Sequence, residues 1–421
     1  MKENLFEFLS FAYPNIKYVV LGTLLLSISS ALVGCFTFLK KKSLVGDVVA
    51  HSVLPGICLG FLVAGYKNPV LIIIGAFITG WLSIMFMDYV VNNSKIKEDT
   101  ATGLSLSVFF GLGILLLTFI QQSGNAQQTG LDVFLFGKAA ALVGDDLTAF
   151  AVIAVIVIFI VFFYFKEFTL IAFDKEFAKA IGIKTKRIEL ILTTVTVLAV
   201  VTGIQAVGVV LMAAMLITPA AAAKFWTHNL RKMLLLAAVF SGLAGYIGAF
   251  ISYTAPSMPT GPWMVMVLSL IAVYSFMFAP KTGIVVKYFN QQKIQRKFMD
   301  ENILKTFYES SKGGLQMGLT HKEIWESRKF HINAMNKSIR RLTRNGFLTK
   351  EEEHYQLSTD GLRKGKRILK LHLLWEAYLR DYLRIAPDHV HEDAETIEHV
   401  ITPEVEKKLE TLIPQDQLNS L

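Results

Sequence analysis

Charge is scarce in the first two thirds of this chain. Charged residues make up 18% of 421, against about a quarter in a soluble globular protein, and most of them lie in the C-terminal third. Hydrophobic residues reach 53% and mean hydropathy is strongly positive, which excludes an ordinary soluble domain for the N-terminal part. Cysteine is nearly absent. Cys35 and Cys58 stand alone in separate apolar stretches, which reads as packing. No glycine-rich loop ends in Gly-Lys-Ser or Gly-Lys-Thr, so the chain has no phosphate-binding loop. "GLRKGKR" at Gly361 lacks both the spacing and the hydroxyl. Any ATP-driven step therefore needs another chain. The N-terminus lacks a basic region and a small-residue cleavage site, so the first apolar run reads as a retained helix and not a signal peptide. Histidine, too, is missing from the apolar part with one exception. Seven of nine histidines lie in the tail and His228 lies between spans, which leaves His51.

Crossing a bilayer takes about 20 apolar residues, and the sequence offers nine candidate spans. Tyr18 to Leu39, Val48 to Ala64 and Pro69 to Met87 are the first three. Ala101 to Leu131 holds the fourth, and Leu147 to Phe165 is the fifth. Leu190 to Ala223 is too long for one crossing, and "TGIQAVG", Thr202 to Gly208, predicts a tight turn between the sixth and seventh. Met233 to Ala279 splits into the eighth and ninth at "TAPSMPTGPW", Thr254 to Trp263, where prolines and glycines end one helix and start another. "VFLFGKAAALVG", Val133 to Gly144, is too short to cross and reads as a re-entrant or interfacial piece.

Lysine and arginine collect in alternate loops: Lys40 to Lys42; Lys95 and Lys97; Lys166 to Arg187; and Lys224, Arg231 and Lys232. The other loops carry little beyond Lys67 and Lys138. Positive loops are cytoplasmic, so the N-terminus is expected outside and everything after Pro280 inside the cell.

One stretch breaks the apolar pattern. In "SLVGDVVAHSVLPG", Ser43 to Gly56, an aspartate and a histidine stand four residues apart. An ionisable group at mid-bilayer costs about 2.5–3.5 kcal/mol and by default marks a pathway. Taken singly, Asp47 also reads as a helix N-cap near Lys42, and His51 as a polar residue hydrogen-bonded between helices. Taken together, they stack on one helical face. Their oxygen and nitrogen donors suit manganese, zinc or iron. One helix gives two ligands. A two-fold pairing of copies doubles them to two carboxylates and two imidazoles. "VLPG", Val53 to Gly56, is expected to bend the helix and let backbones approach closely. Asp88, at the end of the third span, reads as interfacial.

Composition changes at Lys281. The expected organisation is a transmembrane domain over 1–280, an amphipathic connector over 281–299, a winged helix-turn-helix domain over 300–360 and a helical domain over 361–421. "HKEIWES" and "HINAMNKSIRRLTRNG" predict two helices, and "FLTKEEEHYQLST" a hairpin that pairs Phe347–Leu348 with Tyr355–Leu357. Helix, helix, hairpin is the winged-helix order. Asn333, Lys337, Arg340, Arg341 and Arg344 on the second helix read either as phosphate contacts or as a solvated face. Glu351 to Glu353 at the wing argue against strong nucleic-acid binding. Further on, Glu395, Glu398 and His399 share a helical face, with His372 on the preceding helix. That set reads either as a manganese, iron or zinc site or as ordinary surface. Between the fifth and sixth spans, "FDKEFAKAIGIKTKR", Phe173 to Arg187, reads as a short amphipathic helix that either lies on the membrane or fits a groove of an ATPase.

Two resemblances gather these features. "LKKKSLVGDVVAHSVLPGICLGF", "FDKEFAKAIGI" and "AVGVVLMAAMLITPAAAA" resemble, in order, the permease subunits of ABC transporters for manganese, zinc and iron, from about Tyr18 to Pro280. The resemblance implies a permease dimer in the bacterial cell membrane, separate ATPase subunits and an extracytoplasmic metal-binding protein. It also implies that Asp47 and His51 line the metal path. Phe173, Asp174, Lys175, Glu176, Phe177, Ala178, Lys179, Ala180, Ile181 and Gly182 match the family's ATPase-coupling helix. The tail resembles the iron- and manganese-dependent repressors of the diphtheria-toxin-repressor type, through its winged helix and "HLLWEAYLRDYLRIAPDHVHEDAETIEHV". By that resemblance His372, Glu395, Glu398 and His399 fall on metal-binding positions. A departure lies in "DENILKTF", where Asn302 and Lys305 stand at places the family often gives to acids. Asp300, Glu301, His389 or His391 are the substitutes.

The expected protein is thus a polytopic α-helical membrane protein with about nine transmembrane helices and a cytoplasmic α+β winged-helix and sensor-like tail. It is a transport subunit and not an enzyme. Divalent metal, manganese ahead of zinc or iron, is its substrate and a candidate tail ligand, with no catalytic cofactor. The rival is a membrane-tethered metal-responsive regulator, for which nine spans and a ligand pair are more than an anchor needs.

Overall fold

A computed structural model describes residues 2–42, 44–66, 68–122, 137, 142, 144–255, 258–311, 318–328, 330–381 and 403–412. Of the Val133–Gly144 piece only Gly137, Leu142 and Gly144 fall among these, and residues 123–131 of the fourth predicted span fall outside them. Among the described residues, nine helical segments are long and apolar enough to cross a membrane. The chain divides into two units, 1–286 and 287–421.

Unit one opens with a short helix α1 (Lys2–Leu9) and a 26-residue α2 (Pro14–Leu39) that starts on a proline, the residue pre-set for a first turn. The second span is two helices, α3 (Val45–Ser52) and α4 (Leu54–Ala64), separated at Val53, with Pro55 in the first turn of α4. Proline has no N–H to give to a helix running through it, so the expected bend is a break. Next come α5 (Pro69–Asn93) and α6 (Glu98–Gln122). α7 (Gly144–Phe163), α8 (Phe165–Phe173) and the six-residue α9 (Lys175–Ala180) follow. α10 (Thr185–Val207), α11 (Val209–Trp226), α12 (Leu230–Thr254) and α13 (Thr260–Phe278) complete the unit. The α5 and α12 starts are capped by Asn68 and Asn229, whose side chains each accept two backbone N–H bonds.

The turn predicted over Thr202 to Gly208 shrinks to Gly208 alone, at φ 93°. That value is open to glycine and strained for other residues, so one residue ends α10 and starts α11.

Apolar side chains fill the interior in two clusters. One surrounds α3 and α4, with Val49, Val53, Ile57, Ile84, Ile204 and Leu216 among its members. The other joins α2, α7, α8, α10 and α12 around Phe36, Phe168 and Val195. Buried hydroxyls turn back to their own helices, as Thr23 does to the Val19 carbonyl at 2.8 Å and Thr196 to Leu192 at 2.7 Å, which lets polar groups sit in an apolar bundle. Gly56 meets Gly75 backbone to backbone where α4 crosses α5, with no room for a Cβ on either side, a close crossing of the kind small residues permit.

The division between units falls within the first turn of α14 (Ile284–Ser310). This helix runs through the expected connector and into the predicted tail domain without a break. Unit two continues with α15 (His321–Arg328) and α16 (Ile332–Arg344). A hairpin of β1 (Leu348–Glu351) and β2 (His354–Leu357) follows, then α17 (Thr359–Asp381) and α18 (Pro403–Leu412). Leu348 pairs with Leu357 and Glu351 with His354. The strands are therefore a little longer than the sequence suggested. Ile303, Phe307, Ile324, Ile339, Leu348 and Leu357 close a common core.

Candidate metal path

Every residue of α3 is buried except two, and those two are Asp47 and His51. Their i, i+4 spacing puts them on one face. The other face is held by Val45, Val48 and Val49 against the bundle, which fixes where the polar face points. The helix begins at Val45 after Leu44, so Asp47 lies within its first turn and is not its N-cap. A carboxylate there favours the helix N-terminus. His51 makes no hydrogen bond to another helix among the described residues. Its Nδ1 is buried without a partner, and its ring meets Phe110 edge-on at 5.1 Å. Nor does the Asp47 carboxylate form an ion pair or hydrogen bond among the described residues. The two polar side chains are thus half-buried, with apolar packing around them. Among the described residues no three His, Cys, Asp or Glu side chains gather as a metal set, so one copy offers one carboxylate and one imidazole here.

Two residues before Asp47, Val45 lines a cavity of about 230 Å³ ringed by charge. Glu189 on α10 holds Lys40 at 2.8 Å and Lys175 at 2.9 Å. Lys42 reaches Asp88 at 2.9 Å and Glu98 at 3.5 Å. Asp88, read from the sequence as interfacial, is an ion-pair partner. Burial pushes the Lys40 ammonium below the usual lysine range, against the pull of Glu189. For Lys42 burial works the same way, but Asp88, Glu98 and Glu189 outweigh it and hold the pKa above that range. The cluster also brings the ends of α2 and α5 and the starts of α6, α9 and α10 to one side of the bundle, as the alternation of lysine-rich loops requires. Sequence reasoning missed Glu189, which looks like one more charge at a helix start.

The segment Phe173 to Gly182 forms the α8–α9 corner. Asp174 caps α9 through the Phe177 N–H at 2.8 Å, Lys179 pairs with Glu176 at 2.8 Å, and Ala178 is buried. Phe173, Phe177 and Ile181 are 64%, 53% and 53% exposed, and Gly182 takes φ 88°. Cys35 and Cys58 are free and buried.

In unit two, His372 is buried on α17 with Nε2 3.0 Å from Glu376, a partner one turn on that sequence reasoning passed over. Glu395, Glu398, His399, His389 and His391 lie outside the described residues. Asp300, one of the substitutes, is already engaged. Both its oxygens accept from Arg341, at 2.7 and 2.5 Å, and Ser338 also donates to it. Glu301 lies 3.8 Å from Lys297. The same contact takes up one edge of the Arg341 guanidinium, and the Asp300 hydrogen bond raises its pKa further. Asn333, Lys337, Arg340 and Arg344 remain exposed.

Among the described residues, nine membrane-length helical segments, the second of which carries Asp47 and His51, define a polytopic helical membrane protein. The chain belongs to the ABC 3 transport family, whose profile matches residues 12–279. The profile of the iron dependent repressor metal binding and dimerisation domain matches residues 358–416. Among similar proteins, the manganese transport system membrane protein MntC of Bacillus subtilis is 38% identical over 90% of this chain and 87% of its own. The zinc transport system membrane protein TroC of Treponema pallidum is 39% identical over 68% of this chain and 95% of its own. A solved structure, PsaBC from Streptococcus pneumoniae in complex with Fab, is similar at 31% identity and a TM-score of 0.60. It covers 68% of this chain, and 99% of that chain is covered.

Proposed function

We propose that this protein is the permease subunit of an ATP-driven importer of a divalent transition metal, manganese first, with zinc or iron as alternatives. The observation that carries this reading is the α3 face, where a carboxylate and an imidazole are the only two positions left open. Manganese is favoured by the likeness to the manganese transport protein of Bacillus subtilis and by the repressor-like tail, and zinc by the likeness to the zinc transport protein of Treponema pallidum. In this proposal two copies meet at a two-fold axis, and Asp47 and His51 of each supply a dehydrated four-ligand site. The lysine-rich side faces the cytoplasm and the N-terminus lies outside. A separate ATPase chain docks on Phe173 to Gly182, where exposed Phe173, Phe177 and Ile181 offer apolar contact. An extracytoplasmic metal-binding protein delivers the ion.

For the tail we propose a winged helix over 300–360, supported by the order of α15, α16 and hairpin, and a helical dimerisation and metal-binding-like region over 361–421. The connector over 281–299 is continuous with the first tail helix. His372, Glu395, Glu398 and His399 are its proposed ligands, and their role is to slow uptake when the cell is replete. The tethered-regulator reading ranks second, because Arg341 is engaged by Asp300 and the wing is acidic.

The test is ATP hydrolysis by the full complex, with manganese, zinc and iron(II) in turn. One metal should stimulate hydrolysis well above the others, and internal metal should slow it in the full chain but not in one ending near Lys293. No stimulation by any of the three would overturn the transport reading. Equal inhibition of both chains would overturn the sensing role.

A further inference from the structure

The charge cluster beneath α3 is more than a polar rim. Six ionisable side chains meet there, three lysines and three carboxylates, from five elements. Glu189 is the hub, because its two oxygens take different partners. Oε1 holds Lys40, which follows α2, and Oε2 holds Lys175, the first residue of α9. The Lys40 and Glu189 side chains are only 13% and 25% exposed, so leaving either unpaired carries a desolvation penalty. Between Lys40 and Lys42, Lys41 sits at φ 60°, a left-handed conformation that strains a residue with a Cβ. The link from α2 into α3 is therefore held strained between two tethered lysines. One tether runs to α5 and α6, and the other runs through Glu189 to α9. Val45, two residues from Asp47, lines the cavity beside them.

Resting on the transport reading above, we infer that Glu189 is the positioning residue that ties the ATPase-facing helix α9 to the inner mouth of the metal path. A partner that shifts α9 draws Lys175 from Glu189. Glu189 then loses one of the two charges that fix it, and its hold on Lys40 changes with it. The α2–α3 link, and with it the start of the helix that carries Asp47 and His51, is free to relax. The brace is a discrete set of ion pairs that joins α9 to the α2–α3 link, and a second arrangement of those pairs, with Lys175 released, is what coupling requires of it.

The experiment measures metal uptake per ATP hydrolysed by the full complex in vesicles, with manganese and zinc each as the transported probe. Glu189→Gln and Lys175→Gln should each lower that ratio by about tenfold, within the range typical of coupling between sites. The double variant should fall no further than Glu189→Gln alone, because both act through one contact. Glu189→Asp, which keeps the charge, should recover part of the ratio. An unchanged ratio in Glu189→Gln, or losses that multiply in the double variant, would overturn the inference. So would a fall in uptake that follows only the amount of assembled complex. A wild-type complex that moves neither metal would instead overturn the transport reading itself.

Discussion

Asp47 and His51 were legible because their signal is local. Two ionisable residues at i, i+4 in an apolar run need no knowledge of the rest of the fold to be placed on one face. The contacts that spacing does not report depend on distant partners. Arg341 sits on a basic helix face, and the acid that engages it lies 41 positions earlier. Glu189 is 149 positions from Lys40, and no spacing rule reports such a pair. By contrast, Glu376 lies one turn beyond His372 and was within reach of the same i, i+4 reasoning. The Arg341–Asp300 contact carries its own prediction. Asp300→Ala leaves a half-buried guanidinium without its carboxylate and should destabilise the α14–α16 packing by about 1.5–3 kcal/mol, the range for hydrogen bonds to charged groups. Hydrogen exchange in the full chain should rise across residues 296–344. Unchanged exchange there would show that the pair is ornamental.

For the elements, composition fixed the number and order of the spans, while the breaks were set by single residues. Val53 and Pro55 turn a predicted bend into two helices, and Gly208 does alone what seven residues were expected to share. Close crossings were anticipated at "VLPG" in general terms. Which helix fills the gap was not visible, because the partner glycine is 19 positions away on α5. Gly56→Val forces side-chain atoms into the Gly75 backbone and should cost about 1–3 kcal/mol as overpacking. The expected result is a lower melting temperature in detergent and less assembled permease at the membrane. A variant as stable as the parent would mean that α4 and α5 part easily.

Across the whole molecule, the fold of each unit follows from hydropathy and helix signals, but the completeness of the metal site does not. One copy holds two donors, and the proposal supplies the rest from a second copy. Cross-linking addresses this directly. In a chain with Cys35→Ala and Cys58→Ala, His51→Cys should form a disulfide between copies in native membranes. A cysteine at Leu115, exposed on α6, serves as the comparison and should not cross-link. Failure of His51→Cys to cross-link in an assembled complex would remove the two-fold site.

In the proposed function a divalent metal passes Asp47 and His51. The direct measurement is manganese and zinc uptake by cells that depend on this complex, comparing the parent with Asp47→Ala and His51→Ala at matched membrane levels of assembled protein. Either substitution should abolish uptake of the transported metal. Uptake at the parental rate in either variant would contradict that reading.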